Sequence, residues 1–228
     1  MSHFRTLRRS AVWVALPAVA ALFFTGCTRA VAGAPVKSNA LLSVDLGTVL
    51  LDPAEVGDVM GTSGLVVLDE GNGPDDTIDA SPAKCHGVVY IAGETEYAPT
   101  NFTAMRWQTV GAPGVGSVVE LVAQLPSVAK ADEFIDKQTK AWQGCADETI
   151  TATEKVKRSS VTQYRVTAVR ARPHIVTAST RVVSSDMRCQ HVVQAVSNVI
   201  IEASACRNNV SDQAEAIAEK LAEKVAAG

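Results

Sequence analysis

Aromatic residues make up only 5% of this 228-residue chain, with four histidines and five cysteines. No apolar run reaches the ~20 residues that a membrane-spanning helix needs. The longest covers residues 11–24 and carries Pro17 in its middle. There is no excess of basic charge either: 21 Lys and Arg stand against 24 Asp and Glu, a net −3. That balance excludes a nucleic-acid partner and a polybasic membrane-binding face. The chain has no CxxC pair, and only His86 adjoins a cysteine, so a structural zinc site is excluded. It also lacks a G-x-S-x-G elbow, an H-E-x-x-H pair and a phosphate-cradling G-x-x-x-x-G-K. No catalytic residue, cofactor or metal ligand is therefore nominated.

What is present begins at the N-terminus. Arg5, Arg8 and Arg9 lead into the 11–24 run, which ends in Phe24-Thr25-Gly26-Cys27. Positive charge, a short apolar stretch and small residues form the layout of an export signal. The small residues before Cys27 resemble a lipobox, with Phe24 where an aliphatic residue is usual. Arg8-Arg9 leaves twin-arginine and general export both open. The expected organisation is a signal peptide over 1–26, a lipidated Cys27 with a flexible tether over 27–40, and one domain over 41–228. Cleavage removes three arginines and no acid, leaving 18 basic residues against 24 acidic, a net −6. The expected location is the outer face of the cell membrane, held by acyl chains such as palmitate.

Five cysteines are an odd number, and an exported chain rarely leaves a thiol free. If Cys27 carries lipid, Cys85, Cys145, Cys189 and Cys206 remain for two disulfides. Residues 189–206 read as a hairpin about Ser197-Asn198, with Asn198 the residue expected to take positive φ. Counting outward from that turn sets Cys189 opposite Cys206 at a non-hydrogen-bonded pair, where Cα atoms lie ~4.5 Å apart. Elimination then pairs Cys85 with Cys145. The same register puts Val192, Val196, Val199, Ile201, Ala203 and Ala205 on one face, where helices are expected. His191, Glu202 and Ser204 fall on the other face, where a cleft could open. With Trp107 and Tyr164 as aromatic walls, these five are the candidate cleft residues.

Elsewhere, Asp52, Pro53 and Glu55 open a helix over Pro53–Met60 that Gly61 closes. Residues 71–82 read as a loop whose acids are solvated. Strands are expected over 88–92, 103–110, 117–125, 161–169 and 175–183. A helix capped by Ser127 stops at Gly144, and a closing helix is expected to be capped by Ser211. Residues 118–142 and 199–225 both run strand, polar break, amphipathic helix, which suggests an internal duplication. Arg158, Arg165, Arg170, Arg172, Arg181 and Arg188 could hold an anionic headgroup or carboxylate. Their odd and even spacing splits them between strand faces, so they are read as solvent-facing.

Cys85-His-Gly, Ala141-Trp142-Gln-Gly-Cys145, Cys189-Gln, Asn198-Val-Ile-Ile, Ala205-Cys206 and the alanine-rich helix from Gln213 together resemble the PknH-like sensor domain. That family is the extracellular part of an actinobacterial receptor Ser/Thr kinase and also occurs in free-standing lipoproteins. The resemblance spans about residues 41–225. It implies an α+β, α/β sandwich-like fold: a central, mainly antiparallel sheet, helices packed on it, two disulfides and a cleft for an unidentified extracellular ligand. The 228 residues contain no kinase domain, so any signal would pass by contact with another protein or not at all. The expected function is non-catalytic sensing or ligand binding. The alternatives are a protein-interaction or scaffolding role among envelope proteins, and carriage of an apolar ligand. Mass spectrometry of protein recovered from the envelope is expected to find diacylated Cys27 as the first residue; an intact 1–26 segment would overturn this.

Overall fold

The computed structural model describes residues 41–155 and 160–228. The expected signal segment, Cys27, the tether and Arg158 lie outside the described residues. Two short helices open the domain, α1 (Leu46–Val49) and α2 (Pro53–Met60). Asp52 caps α2 by accepting from the N–H groups of Ala54 and Glu55, and Glu55 returns a bond to the Asp52 N–H at 2.9 Å. Gly61 ends the helix at φ 63°, in the left-handed region that favours glycine.

Strands β1 (Val66–Gly71) and β2 (Ile78–Ser81) follow, then the one-turn helices α3 (His86–Val89) and α4 (Glu94–Tyr97). The hairpin β3 (Ala104–Ala112) and β4 (Gly116–Gln124) leads into α5 (Val128–Gln143). Ser127 caps α5 by accepting from the Lys130 N–H. Next come β5 (Thr149–Glu154), β6 (Val161–Arg172), β7 (Ile175–Val182), β8 (Arg188–Val196), β9 (Val199–Arg207) and the closing α6 (Gln213–Ala227).

Three local expectations are corrected. Residues 88–92 are not a strand: α3 ends at Val89 and the chain then turns, with Ala92 at φ 62°. The segment lies over the core instead, burying Val88, Ile91 and Ala92. The 71–82 loop contains β2, a four-residue strand too short and too polar to announce itself. Ser211 does not cap α6; the side chain of Gln190 on β8 does, accepting from the N–H groups of Ala214 (3.0 Å) and Glu215 (3.3 Å).

The nine strands form one antiparallel sheet in the order β1-β3-β4-β9-β8-β7-β6-β5-β2. Strands β1 and β2 therefore occupy opposite edges although only residues 72–77 separate them. Eight strand spacings of ~4.8 Å would set the edges of a flat sheet roughly 38 Å apart. The connection can reach at most about 25 Å at ~3.6 Å per residue. The sheet must curl to let its two edges be joined.

Both faces of the curled sheet are covered. On one, α6 with α1 and α2 packs Ile217, Leu221, Val225, Leu51 and Val56 against Val118, Val122, Val192, Val199 and Ile201. On the other, α5 and the 83–100 excursion pack Phe134, Ile135, Trp142, Tyr97 and Val88 against Leu121, Ile150, Val166, Val176, Val193 and Ile200. Helices were expected on the first face only. The strand–helix units β4–α5 and β9–α6 have adjacent strands, with their helices on opposite faces. Among the described residues no helix is long and apolar enough to cross a membrane.

Cys189 sits opposite Cys206 in the β8–β9 register and is bonded to it, with Cα atoms 4.1 Å apart. Cys85 is bonded to Cys145, tying the excursion to the end of α5. The bridges close sequence separations of 17 and 60 residues, worth roughly 3 and 4 kcal/mol in the loop-entropy account. In the β8–β9 turn it is Ser197, not Asn198, that takes positive φ (55°). Asn198 is buried and used for its side chain, accepting from the Leu42 N–H at 2.7 Å and donating to the Leu125 carbonyl at 3.0 Å.

On the α6 side, fully buried Glu120 accepts from the Leu51 N–H and the Gln108 amide, each at 2.7 Å. Burial pushes its carboxyl up to about 7, against the pull of those two bonds. Because the folded value lies above the unfolded one, Glu120 favours folding most below about 4.5, and that contribution is lost as pH rises through about 7. Between pH 5 and pH 8 the wild type is expected to lose on the order of 3 kcal/mol relative to Glu120→Gln in urea unfolding. Parallel pH profiles for the two proteins would refute this.

Candidate functional site

Curling brings together side chains that lie far apart in strand order. Trp107 on β3 and Tyr164 on β6, with four strands between them in the sheet, both line one cavity of about 240 Å³. Its floor is the α5-side face of the sheet at Thr109, Ser117, Val119, Ser204 and Cys206. Val89–Ala92 and Asp75 roof it.

The walls are held by specific contacts. The Trp107 indole N–H donates to the Gly73 carbonyl at 2.8 Å, pinning the connection that crosses from β1 to β2. Gly71 lies directly against the same ring: a Cβ there would come within 2.5 Å of indole carbons. Tyr90 donates its phenol proton to Asp75, and its oxygen lies 2.7 Å from the Thr77 hydroxyl. Asp75 also accepts from the Thr77 N–H at 3.0 Å, so its carboxylate is engaged in fixing the rim. Burial raises the Tyr90 phenol, reinforced by the Asp75 carboxylate, and burial raises that of Tyr164. Both remain neutral phenols over the physiological range, able to donate as well as accept.

Of the five candidate cleft residues, Trp107, Tyr164 and Ser204 are brought together in this cavity. His191 and Glu202 are not. Each is only 3% exposed, beneath α5 and the excursion. Their register position was read correctly, but the face they occupy is roofed rather than open. Glu202 accepts from the hydroxyl of fully buried Tyr97 at 2.7 Å. His191 places Nδ1 3.2 Å from the Val88 carbonyl, packs its ring against Trp142 at 4.7 Å between centroids and a 46° tilt, and has Nε2 3.4 Å from Glu202. The pair cross-links sheet, excursion and α5, which is a structural duty.

Tyr90, Asp75 and Tyr97 were missed in the sequence. A Tyr-x-x-x-x-x-x-Tyr spacing across an irregular segment has no periodicity to flag it, and Asp75 looked like any solvated turn acid. A second buried pair steadies the roof: His86 lies 2.9 Å from Glu96 and 3.2 Å from the Ile78 carbonyl. Burial opposes protonation of His86, and the Glu96 carboxylate outweighs it, raising His86 above its ordinary value. A Cβ on Gly93 would sit 2.1 Å from the Glu96 carboxylate, so that position has to be glycine for the pair to form.

The cavity offers aromatic faces, hydroxyls and two carboxylates, Asp69 and Asp75, and no histidine lines it. Among the described residues no group of three or more His, Cys, Asp or Glu could hold a metal ion.

Residues 43–224 match the PknH-like extracellular domain family. The chain belongs to this family. Over 191 residues it is 29% identical to the serine/threonine-protein kinase PknH of Mycobacterium bovis and to that of Mycobacterium tuberculosis. These alignments cover 79% of this chain and 30% and 29% of the two kinases, so the chain spans less than a third of their length. The crystal structure of the extracellular domain of PknH from Mycobacterium tuberculosis superposes with a TM-score of 0.76 at 26% identity. That superposition covers 82% of this chain and 98% of the solved domain. The fold is thus the α+β fold of an extracellular sensor-type domain, and the match falls on that part of the kinase. The segments that carried the resemblance are mostly structural here. Cys85, Cys145, Cys189 and Cys206 form the bridges, Gln190 caps α6, Asn198 ties the β8–β9 turn, and Trp142 packs against the His191 ring.

Gly71→Ala is expected to push Trp107 out of place and cost about 1–3 kcal/mol in urea unfolding, the usual penalty of overpacking. Gly73→Ala, with nothing within 4 Å of an added Cβ, is the matched control and is expected to be near neutral. Equal losses in the two variants would contradict the tight indole contact.

Proposed function

We propose that this protein is a cell-envelope lipoprotein, anchored through acyl chains on Cys27 at the outer face of the membrane, whose domain binds a small ligand without catalysing a reaction. The export signal and the odd cysteine support the anchor. Membership of an extracellular-domain family supports the location. The observation that carries the binding reading is the convergence of Tyr90, Trp107 and Tyr164, from three separate segments, on one cavity with hydroxyl and carboxylate edges.

At about 240 Å³ the cavity is smaller than the ~300–1,000 Å³ of pockets for drug-sized ligands. A ligand of monosaccharide size, with an apolar face for the rings and hydroxyls for the edges, suits it. The mixed walls give less support to carriage of a wholly apolar cargo. A Cys27→Ser variant is expected to melt several degrees higher with at least one member of a panel of monosaccharides and amino sugars. Trp107→Ala is expected to abolish the shift. Absence of any shift across the panel overturns this in favour of a protein-interaction role. That second reading has its own support in edge strand β1, where Val66, Val67 and Leu68 are 53%, 43% and 56% exposed.

A further inference from the structure

The strand register gathers the arginines that sequence parity separated. Arg165 on β6 stands opposite Arg181 on β7, Arg181 opposite Arg188 on β8, and Arg188 opposite Arg207 on β9. Residues directly opposite in a sheet share a face, so these four form one row across four strands. At ~4.8 Å per strand the row is about 14 Å long. It continues at one end to Thr149, opposite Arg165 on β5.

Arg170 and Arg172 lie on the same face, opposite Thr177 and Ile175. Odd and even positions of β6 share a face because its register shifts between Val166 and Ala168, a bulge at Thr167 that reverses the alternation. This is the α6 side of the sheet, where Thr177 donates to Glu215 of α6. Helix α6 covers β8 and β9 there. Arg165, Arg170, Arg172, Arg181 and Arg188 are exposed.

Directly opposed like charges oppose sheet pairing. No acid is interleaved in this row. Among the described residues, which contain every acid of the chain, only Arg172 is ion-paired, to Glu215 at 3.2 Å. Arg207 donates to the Met60 carbonyl. Among the described residues neither Asp186 in the β7–β8 turn nor Asp212 before α6 forms an ion pair with the row, and Asp212 accepts from the Ser211 hydroxyl at 2.7 Å. Arg181 and Arg188 also border a concavity of about 350 Å³ lined by Thr167, Ser179, Thr180 and Ser211. Planar guanidinium donors in a line, edged by hydroxyls, match successive phosphoryl groups.

We propose that the α6-side face of β6–β9 is a second binding site, separate from the Trp107 cavity, for an extended phosphate-bearing polyanion lying along Arg165, Arg181, Arg188 and Arg207. One phosphoryl group sits in the concavity between Arg181 and Arg188. A soluble polymer is favoured over a lipid surface by the shape of the row: four guanidinium positions in line, ~4.8 Å apart over about 14 Å, can be met by successive phosphoryl groups of one chain.

The test titrates the full chain, purified in detergent, with short-chain inorganic polyphosphate, orthophosphate and phosphatidylglycerol vesicles. Polyphosphate is expected to bind in a salt-dependent manner, and orthophosphate at least about tenfold more weakly per phosphate. The double variant Arg181→Gln/Arg188→Gln is expected to lose about tenfold or more, with its melting temperature unchanged because both side chains are exposed. Arg165→Gln is expected to lose a smaller factor, and Lys140→Gln, on exposed α5, none. Failure of polyphosphate to bind, undiminished binding by the double variant, or binding to the vesicles alone each overturns the proposal. None of these outcomes bears on the Trp107 cavity, whose test reads a different ligand and a different substitution.

Discussion

A connection of six residues, 72–77, joins one edge of a nine-stranded sheet to the other, and the rest of the architecture follows from that shortness. A flat sheet would tear the connection, so the sheet curls until β1 and β2 can be linked. Curling carries β3 toward β6 and makes neighbours of Trp107 and Tyr164, which no local pattern associates. The connection is then fixed where it crosses, by the Trp107 indole on Gly73 and by the Asp75–Tyr90 contact. The Cys85–Cys145 bridge fastens the following excursion to α5, so the roof of the cavity is tied covalently to the layer behind it.

Covering both faces of a curled sheet buries polar groups that one wet face would have left in water. Their partners show how the layers are registered to one another. Glu202 and His191 are met by Tyr97, the Val88 carbonyl and the Trp142 ring, so sheet, excursion and α5 share one buried contact. On the opposite face Glu120 and Gln108 satisfy the Leu51 backbone, and Gln190 caps α6. A buried group without its partner costs more than the bond gains, so each contact restricts how its layer can be placed. The family match spans residues 43–224 and so takes in Tyr90, Trp107 and Tyr164 together with these buried contacts and the cysteines.

The sequence by itself determined what depends on neighbours along the chain or across a tight turn. The Asp52-Pro53-Glu55 cap, the Ser127 cap and the 189–206 register with its disulfide were all legible, because hydrogen-bond geometry within a few residues or across a hairpin admits few solutions. The errors mark where that reach ends. Asn198 was expected to take positive φ for its turn, but its side chain is recruited by Leu42 and Leu125, and Ser197 takes the strained position. Residues 88–92 have strand-like composition but form the end of α3 and the turn after it. Parity scattered the arginines over two faces, because a single bulge at Thr167 is invisible to a period of two. His191, Glu202 and Ser204 were correctly placed on one face. Only the tertiary structure decided that the first two are roofed while Ser204 joins Trp107 and Tyr164 at a cavity. Burial and cross-strand adjacency are set by chain segments tens of residues away, and no local pattern encodes their distance.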